Sequence, residues 1–414
     1  MTKLERMLKY VSEHNDFYKR RIKEYGITNP LDITQWPILT RKELQENRYN
    51  MFSDGYKSKY LHQQLKRQSS SGSTGIPVTV YWDYPDYYAS TLHLWRRRYL
   101  HYGVVPNDRR VTFTLNTFNL KYKVDDVLYK YYSPTELSFN ISLIQETVLY
   151  NKVIDIIDEF QPKWLYIQPF ILQKLLLSYI KNDKKPPKSL AYIESVGELL
   201  TADLKQKVID FFKVPIANLY GSEEMNGIAF ECPHNHMHII SENVHVQQSD
   251  FNGSSIITSL TNKAMPLIRY DQSDIIKIRS LSDSCSCGFS DPVIDIITGR
   301  SSENLYTKDG FELNSLLLME IIAEVNNQFD DIVISYNFIY YKQDHKLKCY
   351  IKVDSFRKEW FYSIQSSINE IFKRKISSNI NIVIEVCSMN EYQNPLGKQK
   401  ILRQHRITAD EDRC

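Results

Sequence analysis

The sequence lacks three features that would each place it in a particular class of protein. It has no uninterrupted apolar stretch of the kind found in a secretory signal or a membrane-spanning helix. Its 52 basic and 49 acidic side chains nearly balance, so the strong positive charge of a general nucleic-acid binder is missing. Its six cysteines are few for 414 residues, which argues against a disulfide framework. We therefore expect a soluble, cytoplasmic protein whose partners include neither a membrane nor a nucleic acid.

What is present suits a folded protein of more than one domain. Hydrophobic residues make up 42% of the chain, enough for a substantial core. Strand-like and helix-like stretches alternate from Val111 to Leu219, which indicates α/β layers. After Gly299 the pattern changes to that of a small α+β domain. At the start, apolar spacing predicts one amphipathic helix from Leu4 to Tyr25, ended by Gly26.

A serine-rich loop precedes a predicted strand and is the first candidate for a binding site. It reads Ser-Ser-Ser-Gly-Ser-Thr-Gly-Ile-Pro over residues 69–77. Hydroxyl groups and backbone N–H groups beside glycine suit a polyphosphate, and the candidates are Ser70, Ser71, Gly72, Ser73, Thr74 and Gly75. A flexible Ser/Gly linker is the alternative. No Lys-Ser or Lys-Thr follows the second glycine, so a P-loop NTPase is disfavoured.

The same loop resembles the signature of the adenylate-forming superfamily, which includes acyl-CoA synthetases, peptide-synthetase adenylation domains and luciferases. Four further segments resemble that superfamily in the same order. Within it, the pattern Phe17-Tyr18, the segment from Trp36 to Leu44 and the segment from Gly197 to Thr201 resemble the phenylacetate–CoA ligase branch. The resemblance covers nearly the whole chain. It implies a large N-terminal α/β adenylation domain, residues 1–299, and a small mobile C-terminal domain, residues 303–414.

The resemblance assigns roles to the remaining segments. The run Tyr220-Gly221-Ser222-Glu223-Glu224 is similar to the Tyr-Gly-x-Thr/Ser-Glu element, which places the tyrosine ring near adenine and the last glutamate on Mg²⁺. Glu223 stands where Thr or Ser is usual, which leaves open which of the two acids holds the ion. Asp274 takes the position of an aspartate that accepts hydrogen bonds from the ribose. An ordinary polar loop and a simple turn are the alternatives for these segments.

Two further segments complete the resemblance. Arg300 would contact ribose or phosphate, and the hinge would span residues 300–302, with Ser302 where an aspartate pivot is usual. Lys398, in a Gly-Lys loop, would stabilise the charge that develops as pyrophosphate leaves. Taken alone, such a loop is usually a solvated turn.

Cysteine and histidine cluster in two short motifs, at residues 232–238 and 285–288. Three cysteines and one histidine make a closed tetrahedral set of the kind used for structural Zn²⁺. By resemblance to the branch, the ligands are Cys232, His238, Cys285 and Cys287, and His234 and His236 are substitutes for His238. Unligated cysteines near a sheet edge are the alternative.

These observations predict an ATP-dependent, Mg²⁺-assisted ligase that activates a carboxylic acid as an acyl adenylate and passes it to a thiol. The branch favours aryl acids. We expect an acid such as a dihydroxybenzoate and, as acceptor, the phosphopantetheine of a separate carrier protein, as in siderophore or other secondary-metabolite biosynthesis. A phenylacetate–CoA-like ligase using coenzyme A is the first alternative. A catalytically silent nucleotide-binding module is the second. A homodimer is compatible with the sequence, which does not fix the oligomeric state.

Overall fold

The computed structural model describes most of the N-terminal three hundred residues and parts of the remainder. The described residues are 1–69, 78–114, 128–140, 147–251, 253–280, 285–300, 305–306, 312–313, 318, 321–322, 324–325, 328–329, 333–341, 345–353, 359–375, 383–388 and 402–404. The chain divides into two compact units, Met1–Ile297 and Thr298–Cys414. The division falls two residues before the end of the predicted adenylation domain.

The helices whose bounds the structure describes are α1 (Lys3–His14), α2 (Asp16–Glu24), α3 (Arg41–Asn47), α4 (Tyr56–Leu61), α5 (Tyr84–Tyr102), α6 (Thr147–Phe160), α7 (Pro169–Lys181), α8 (Ala202–Phe212) and α9 (Phe361–Lys375). The strands of the first unit begin with β1 (Lys66–Ser69), β2 (Thr79–Trp82), β3 (Arg110–Thr114), β4 (Tyr129–Ser133), β5 (Glu136–Asn140), β6 (Trp164–Ile167) and β7 (Tyr192–Val196). They continue with β8 (Ile216–Ser222), β9 (Asn226–Glu231), β10 (Met237–Ile239), β11 (Val244–Gln248), β12 (Ser254–Ser259), β13 (Tyr270–Arg279) and β14 (Val293–Arg300). The later strands are β15 (Leu305–Tyr306), β16 (Glu312–Leu313), β17 (Val333–Tyr341), β18 (Lys346–Val353), β19 (Val383–Ser388) and β20 (Leu402–Gln404).

The first unit is built on a twelve-stranded sheet in the order β11-β12-β13-β14-β10-β9-β8-β7-β6-β3-β5-β4. Strands β5, β3, β6, β7 and β8 run parallel to one another, and β4 pairs antiparallel with β5. Strand β8 then pairs antiparallel with β9, and β9 with β10. The parallel half is covered on one face by α6, α7 and α8, and on the other by α5. The predicted α/β architecture is therefore confirmed, with an antiparallel half that the sequence pattern did not indicate.

The prediction of one opening helix from Leu4 to Tyr25 is wrong, because the helix is interrupted at Asn15. This residue has extended backbone angles, and its side-chain oxygen accepts a hydrogen bond from the Tyr18 N–H, which caps α2. Its Nδ2 donates to the Met51 carbonyl over 2.9 Å and to Ser53 Oγ over 3.1 Å. A buried polar side chain that satisfies both an N-cap and a tertiary contact overrides the apolar periodicity around it.

The second unit contains a four-stranded sheet in the order β19-β18-β17-β20. Strands β17 and β18 are antiparallel, whereas β19 and β20 run parallel to their neighbours. Apolar residues of α9, including Ile364 and Ile368, pack on this sheet against Phe338 and Leu347. This unit is the α+β domain that the sequence predicted after Gly299.

Candidate active site

The carboxyl ends of the parallel strands lie along the same end of the sheet. The predicted site residues of β8 lie at this end. In open α/β sheets this is where ligands bind. Strand β8 ends at Ser222, and a tight turn carries Glu223 and Glu224 into β9. At Gly221 an added Cβ would lie 2.5 Å from the Asn226 carbonyl oxygen. Only glycine therefore lets β9 approach β8 so closely.

Tyr220 and Asp274 come together across the site although 53 residues separate them in the chain. The Tyr220 hydroxyl donates to Asp274 Oδ2 over 2.7 Å. Asp274 lies in β13 and is 9% exposed. The hydrogen bond from the tyrosine hydroxyl holds this carboxylate in a fixed orientation beside the site.

Glu224 is the more buried of the two acids in the turn, with 4% of its surface exposed. The Tyr270 hydroxyl donates to its Oε1 over 3.4 Å. Ser222 Oγ, two residues earlier, is also buried and has no hydrogen-bond partner within the described part of the chain. A buried carboxylate oxygen is a ligand that Mg²⁺ accepts, so the Glu224 position fits the predicted metal-holding role.

Glu223 is engaged by a residue that the sequence reasoning missed. Gln68 Nε2 donates to Glu223 Oε2 over 3.2 Å and to Asn226 Oδ1 over 3.2 Å. Asn226 in turn donates through Nδ2 to Ser90 Oγ of α5 over 2.7 Å. Gln68 stands just before the serine-rich loop, but nothing in the sequence pattern distinguishes it from any polar strand residue.

The segment that leads into Asp274 is held by the N-terminal motifs. The Tyr18 hydroxyl donates to the Pro266 carbonyl over 2.9 Å and accepts from the Ile268 N–H over 3.0 Å. Leu39 pairs in parallel with Tyr270. The positions that suggested the phenylacetate–CoA ligase branch thus act here as supports for one wall of the site.

The segment from Gly197 to Thr201 lies at the end of β7, on the same edge of the sheet. Gly197 has a φ of +82°, which favours glycine there. Glu198 Oε2 accepts from the Phe170 N–H over 3.3 Å at the start of α7, and Thr201 caps α8.

Several predicted residues cannot be placed in the same detail. Strands β1 and β2 pair antiparallel with Ser69 opposite Thr79, so the two ends of the serine-rich loop are adjacent. The loop itself, including Ser70 to Gly75, lies outside the described residues, as do Ser302 and Lys398. Arg300 is the last residue of β14, and its side chain is outside the described part of the structure.

A buried ion pair lies between α5 and the sheet. Arg98 donates to Glu194 through Nε over 2.8 Å and through Nη2 over 2.6 Å. Tyr192 donates to the same carboxylate over 3.1 Å. Glu194 is fully buried, and the carboxylate raises the pKa of the Arg98 guanidinium against the opposing effect of burial. The pair fastens α5 to the central strand β7.

A second group of side chains forms a candidate metal centre at the far end of β9. Ligand atoms of Cys232, His236, His238 and Cys285 all lie within 4.8 Å of one another. Cys232 Sγ is 3.9 Å from Cys285 Sγ, and His236 Nδ1 is 3.2 Å from Cys285 Sγ. Two thiols and two imidazoles match a structural zinc site in number and chemistry.

Cys287 is a fifth potential ligand, because its Sγ lies 3.3 Å from His238 Nε2. The other ring nitrogen of His238 is 3.1 Å from the Asp291 carbonyl oxygen, which orients the ring as a support for a metal ligand would. The structure therefore brings Cys232, His238 and Cys285 together with His236, which the sequence offered as a substitute for His238, and Cys287 lies beside His238. His234, the other substitute predicted, is exposed and stands outside the cluster.

The thiols of this centre differ in acidity. Burial raises the pKa of Cys285, but hydrogen bonds from the Cys287 backbone and from His236 outweigh it and lower the pKa to about 5. Burial raises the pKa of Cys287 to about 12. Of these two thiols, Cys285 is the one more readily present as thiolate, the form that binds metals.

Two surface clefts lie away from these sites. Clefts of about 400 and 290 Å³ flank α1. The first is lined by several basic residues, but their charges have partners: Lys3 donates to the Glu242 carbonyl, and Lys9 lies 3.9 Å from Glu13. Neither cleft includes any predicted site residue.

Comparison with known proteins confirms the predicted resemblance. No family model matches the chain. A phenylacetate–coenzyme A ligase of Thermus thermophilus is 21% identical over 436 residues, covering 97% of this chain and 94% of the ligase. The relatives found are therefore acid–thiol ligases, as the sequence predicted.

Solved structures show the same fold. A 2-hydroxyisobutyryl-CoA ligase in the postadenylation state, in complex with R3-HIB-AMP, matches with a TM-score of 0.70 at 14% identity, over 98% of this chain and 88% of that ligase. An anthranilate CoA ligase in complex with anthranoyl-AMP matches with a TM-score of 0.54 at 16% identity, over 80% of this chain and 65% of that ligase. The fold is that of the adenylate-forming enzymes. Within the described residues, no helix is long and apolar enough to cross a membrane.

Proposed function

We propose that this protein is an ATP-dependent acid–CoA ligase that works through an acyl adenylate. The observation that carries the proposal is the convergence of Tyr220, Asp274 and the buried Glu224 at the carboxyl edge of the parallel strands. Asp274 lies 54 residues from Tyr220 in the chain, and the two side chains meet at the carboxyl end of the parallel strands, where ligands bind in open α/β sheets.

The residues divide the adenylation step among them. Asp274 accepts hydrogen bonds from the ribose, and the Tyr220 ring lies against the adenine. The serine-rich loop, residues 70–75, donates to the phosphates. Glu224 would hold Mg²⁺, which offsets the charge of the departing pyrophosphate. Lys398 would stabilise the charge that develops as pyrophosphate leaves, and the C-terminal domain expected from the sequence, residues 303–414, would turn about residues 300–302 before the thiol attacks.

Coenzyme A is the acceptor that the comparisons favour. The 2-hydroxyisobutyryl-CoA ligase has also been solved in complex with 2-HIB-AMP and CoA in the thioesterification state, and that structure matches with a TM-score of 0.58 at 15% identity, over 97% of this chain and 88% of that ligase. The carrier-protein acceptor expected from the sequence has no comparable support, and neither has a role in siderophore synthesis. Among acids, the phenylacetate and anthranilate relatives keep an aromatic substrate as the first class to test.

We also propose that the cluster around Cys232 binds structural Zn²⁺. With four or five donors from the protein, the shell has no open position for water, and the ion would stabilise the β9–β10 hairpin and its contact with β14 rather than take part in the chemistry.

Thioester formation tests the proposed acceptor. Purified protein is incubated with MgATP and each of a panel of aryl and short hydroxy acids, with either coenzyme A or phosphopantetheinylated carrier proteins, and the products are separated by mass spectrometry. Acyl-CoA formation with at least one acid supports the proposal. Acyl transfer to a carrier protein but not to coenzyme A would show that the acceptor is the carrier protein. Nucleotide binding without any acyl product would favour the catalytically silent module.

A further inference from the structure

The side chain of Gln68 connects the two elements that the proposed function assigns to the nucleotide. Gln68 lies in β1, directly before the serine-rich loop of residues 69–77. Its Nε2 donates to Glu223 Oε2 and Asn226 Oδ1, each over 3.2 Å. The bonds span 155 and 158 residues of sequence, so they tie the end of β1 to the turn that carries Glu224.

The orientation of this amide follows from its partners. Glu223 and Asn226 both present oxygen atoms, and a flipped amide would place its own oxygen against them. Both hydrogens of Nε2 are therefore used. The Gln68 Oε1 atom is buried and has no hydrogen-bond partner among the described residues, which leaves one acceptor on the side of the amide away from Glu223.

Glu223 gives this contact its significance. It adds a negative charge beside Glu224, at a position where the similar motif has Thr or Ser. An unrestrained carboxylate there would repel the phosphates of a nucleotide. Two hydrogen bonds from Gln68, with Asn226 anchored in turn on Ser90 of α5, fix both the carboxylate and the turn.

We propose that Gln68 is a positioning residue for nucleotide binding, which restrains Glu223 and the turn that carries Glu224. This inference rests on the proposed function. It concerns a residue outside the recognised motifs and predicts a specific partner, Glu223, through which Gln68 acts.

Exchange of the two side chains tests the inference. In Gln68→Glu two carboxylates face each other, and the KM for MgATP in acid-dependent pyrophosphate exchange should rise at least tenfold, beyond the effect of Gln68→Ala. In Gln68→Glu/Glu223→Gln the amide introduced at position 223 can donate to the carboxylate introduced at position 68, and the KM should return to within about threefold of the wild type. Gln64→Ala, an exposed glutamine of the same segment, is the matched control.

The outcomes separate a positioning role from a purely structural one. The melting temperature is measured for every variant. The inference is supported if the double variant Gln68→Glu/Glu223→Gln restores the KM for MgATP while the melting temperature changes little. A double variant no better than Gln68→Glu, or a Gln68→Ala variant indistinguishable from Gln64→Ala, overturns it. If the wild type shows no exchange with any acid, the proposed function fails, and the same comparison is then made on the ATP dissociation constant by calorimetry.

Discussion

The Tyr220 hydroxyl donates to Asp274 Oδ2 over 2.7 Å and thereby joins the end of β8 to β13. We expect this bond to hold Asp274 in the orientation that the ribose hydroxyls require. Tyr220→Phe removes the donor and keeps the ring, so the KM for ATP should rise about fivefold to tenfold with a smaller change in kcat.

Initial rates of pyrophosphate exchange at varied ATP concentration measure this effect. Tyr88→Phe is the control, because Tyr88 is an exposed residue of α5. A Tyr220→Phe variant with the wild-type KM would show that the bond does not serve nucleotide binding.

Glu224 and Glu223 are adjacent, and the structure distinguishes them. Glu224 is buried beside Tyr270, whereas Glu223 is bonded to Gln68. Glu224→Gln should therefore raise the Mg²⁺ concentration needed for half-maximal exchange by about tenfold or more, because it removes a charged ligand. Glu223→Gln keeps an acceptor for Gln68 and should shift it less than about threefold. Both effects are measured by Mg²⁺ titration at fixed ATP. A larger shift for Glu223→Gln than for Glu224→Gln would assign the metal-holding role to Glu223.

The cysteine and histidine cluster predicts about one zinc ion per chain in the purified protein. Cys232→Ala, His238→Ala and Cys285→Ala should each abolish zinc binding and lower the melting temperature, since the ion stabilises only the folded state. Elemental analysis and thermal melts measure both effects, with Cys414→Ser as the control. Protein that is folded and metal-free as purified, with melting unaffected by a chelator, would contradict a structural zinc.

The fifth donor adds a finer expectation. His236 and Cys287 both reach the cluster, so either can complete a tetrahedron when the other is absent. His236→Ala and Cys287→Ala should each retain zinc with weakened affinity. Complete loss in one of them would identify the fourth ligand.

The Arg98–Glu194 pair predicts a large effect on stability. Glu194→Ala leaves a guanidinium buried without its partner and should lower the free energy of unfolding by about 3–5 kcal/mol. Arg98→Met/Glu194→Leu removes both charges, and should cost less than Glu194→Ala alone. The free energy of unfolding of each variant is measured by urea denaturation. The control is Lys207→Ala, which breaks an exposed ion pair with Asp203 and should change the free energy of unfolding by less than about 1 kcal/mol. If the double variant is less stable than Glu194→Ala, the loss of side-chain packing costs more than the unpaired buried charge.

The sequence predicted the parallel half of the fold better than the antiparallel half. Helix α8, Ala202–Phe212, lies within the alternation of strands and helices expected from Val111 to Leu219, because a threonine cap and regular apolar spacing agree there. Helix α5 was missed although it is 19 residues long. It buries the charged residues Arg97 and Arg98, so its charged positions do not follow the usual inside–outside pattern.

For the site, the motifs located Tyr220, Glu224 and Asp274, because their spacing belongs to a recognisable order of segments. The contacts between them could not be predicted, since β8 and β13 are brought together only by the fold. Gln68 was missed for the same reason, because its role depends on a neighbour 155 residues away in the chain.

Acid-dependent exchange of pyrophosphate into ATP tests the central claim most directly. With at least one carboxylic acid of a broad panel, the wild-type protein should incorporate labelled pyrophosphate into ATP only when the acid and Mg²⁺ are both present. Lys398→Ala should lose this exchange with its melting temperature retained, and Lys400→Ala should keep it. ATP binding without exchange for any acid would contradict adenylate formation, and undiminished exchange in Lys398→Ala would remove that lysine from the chemistry.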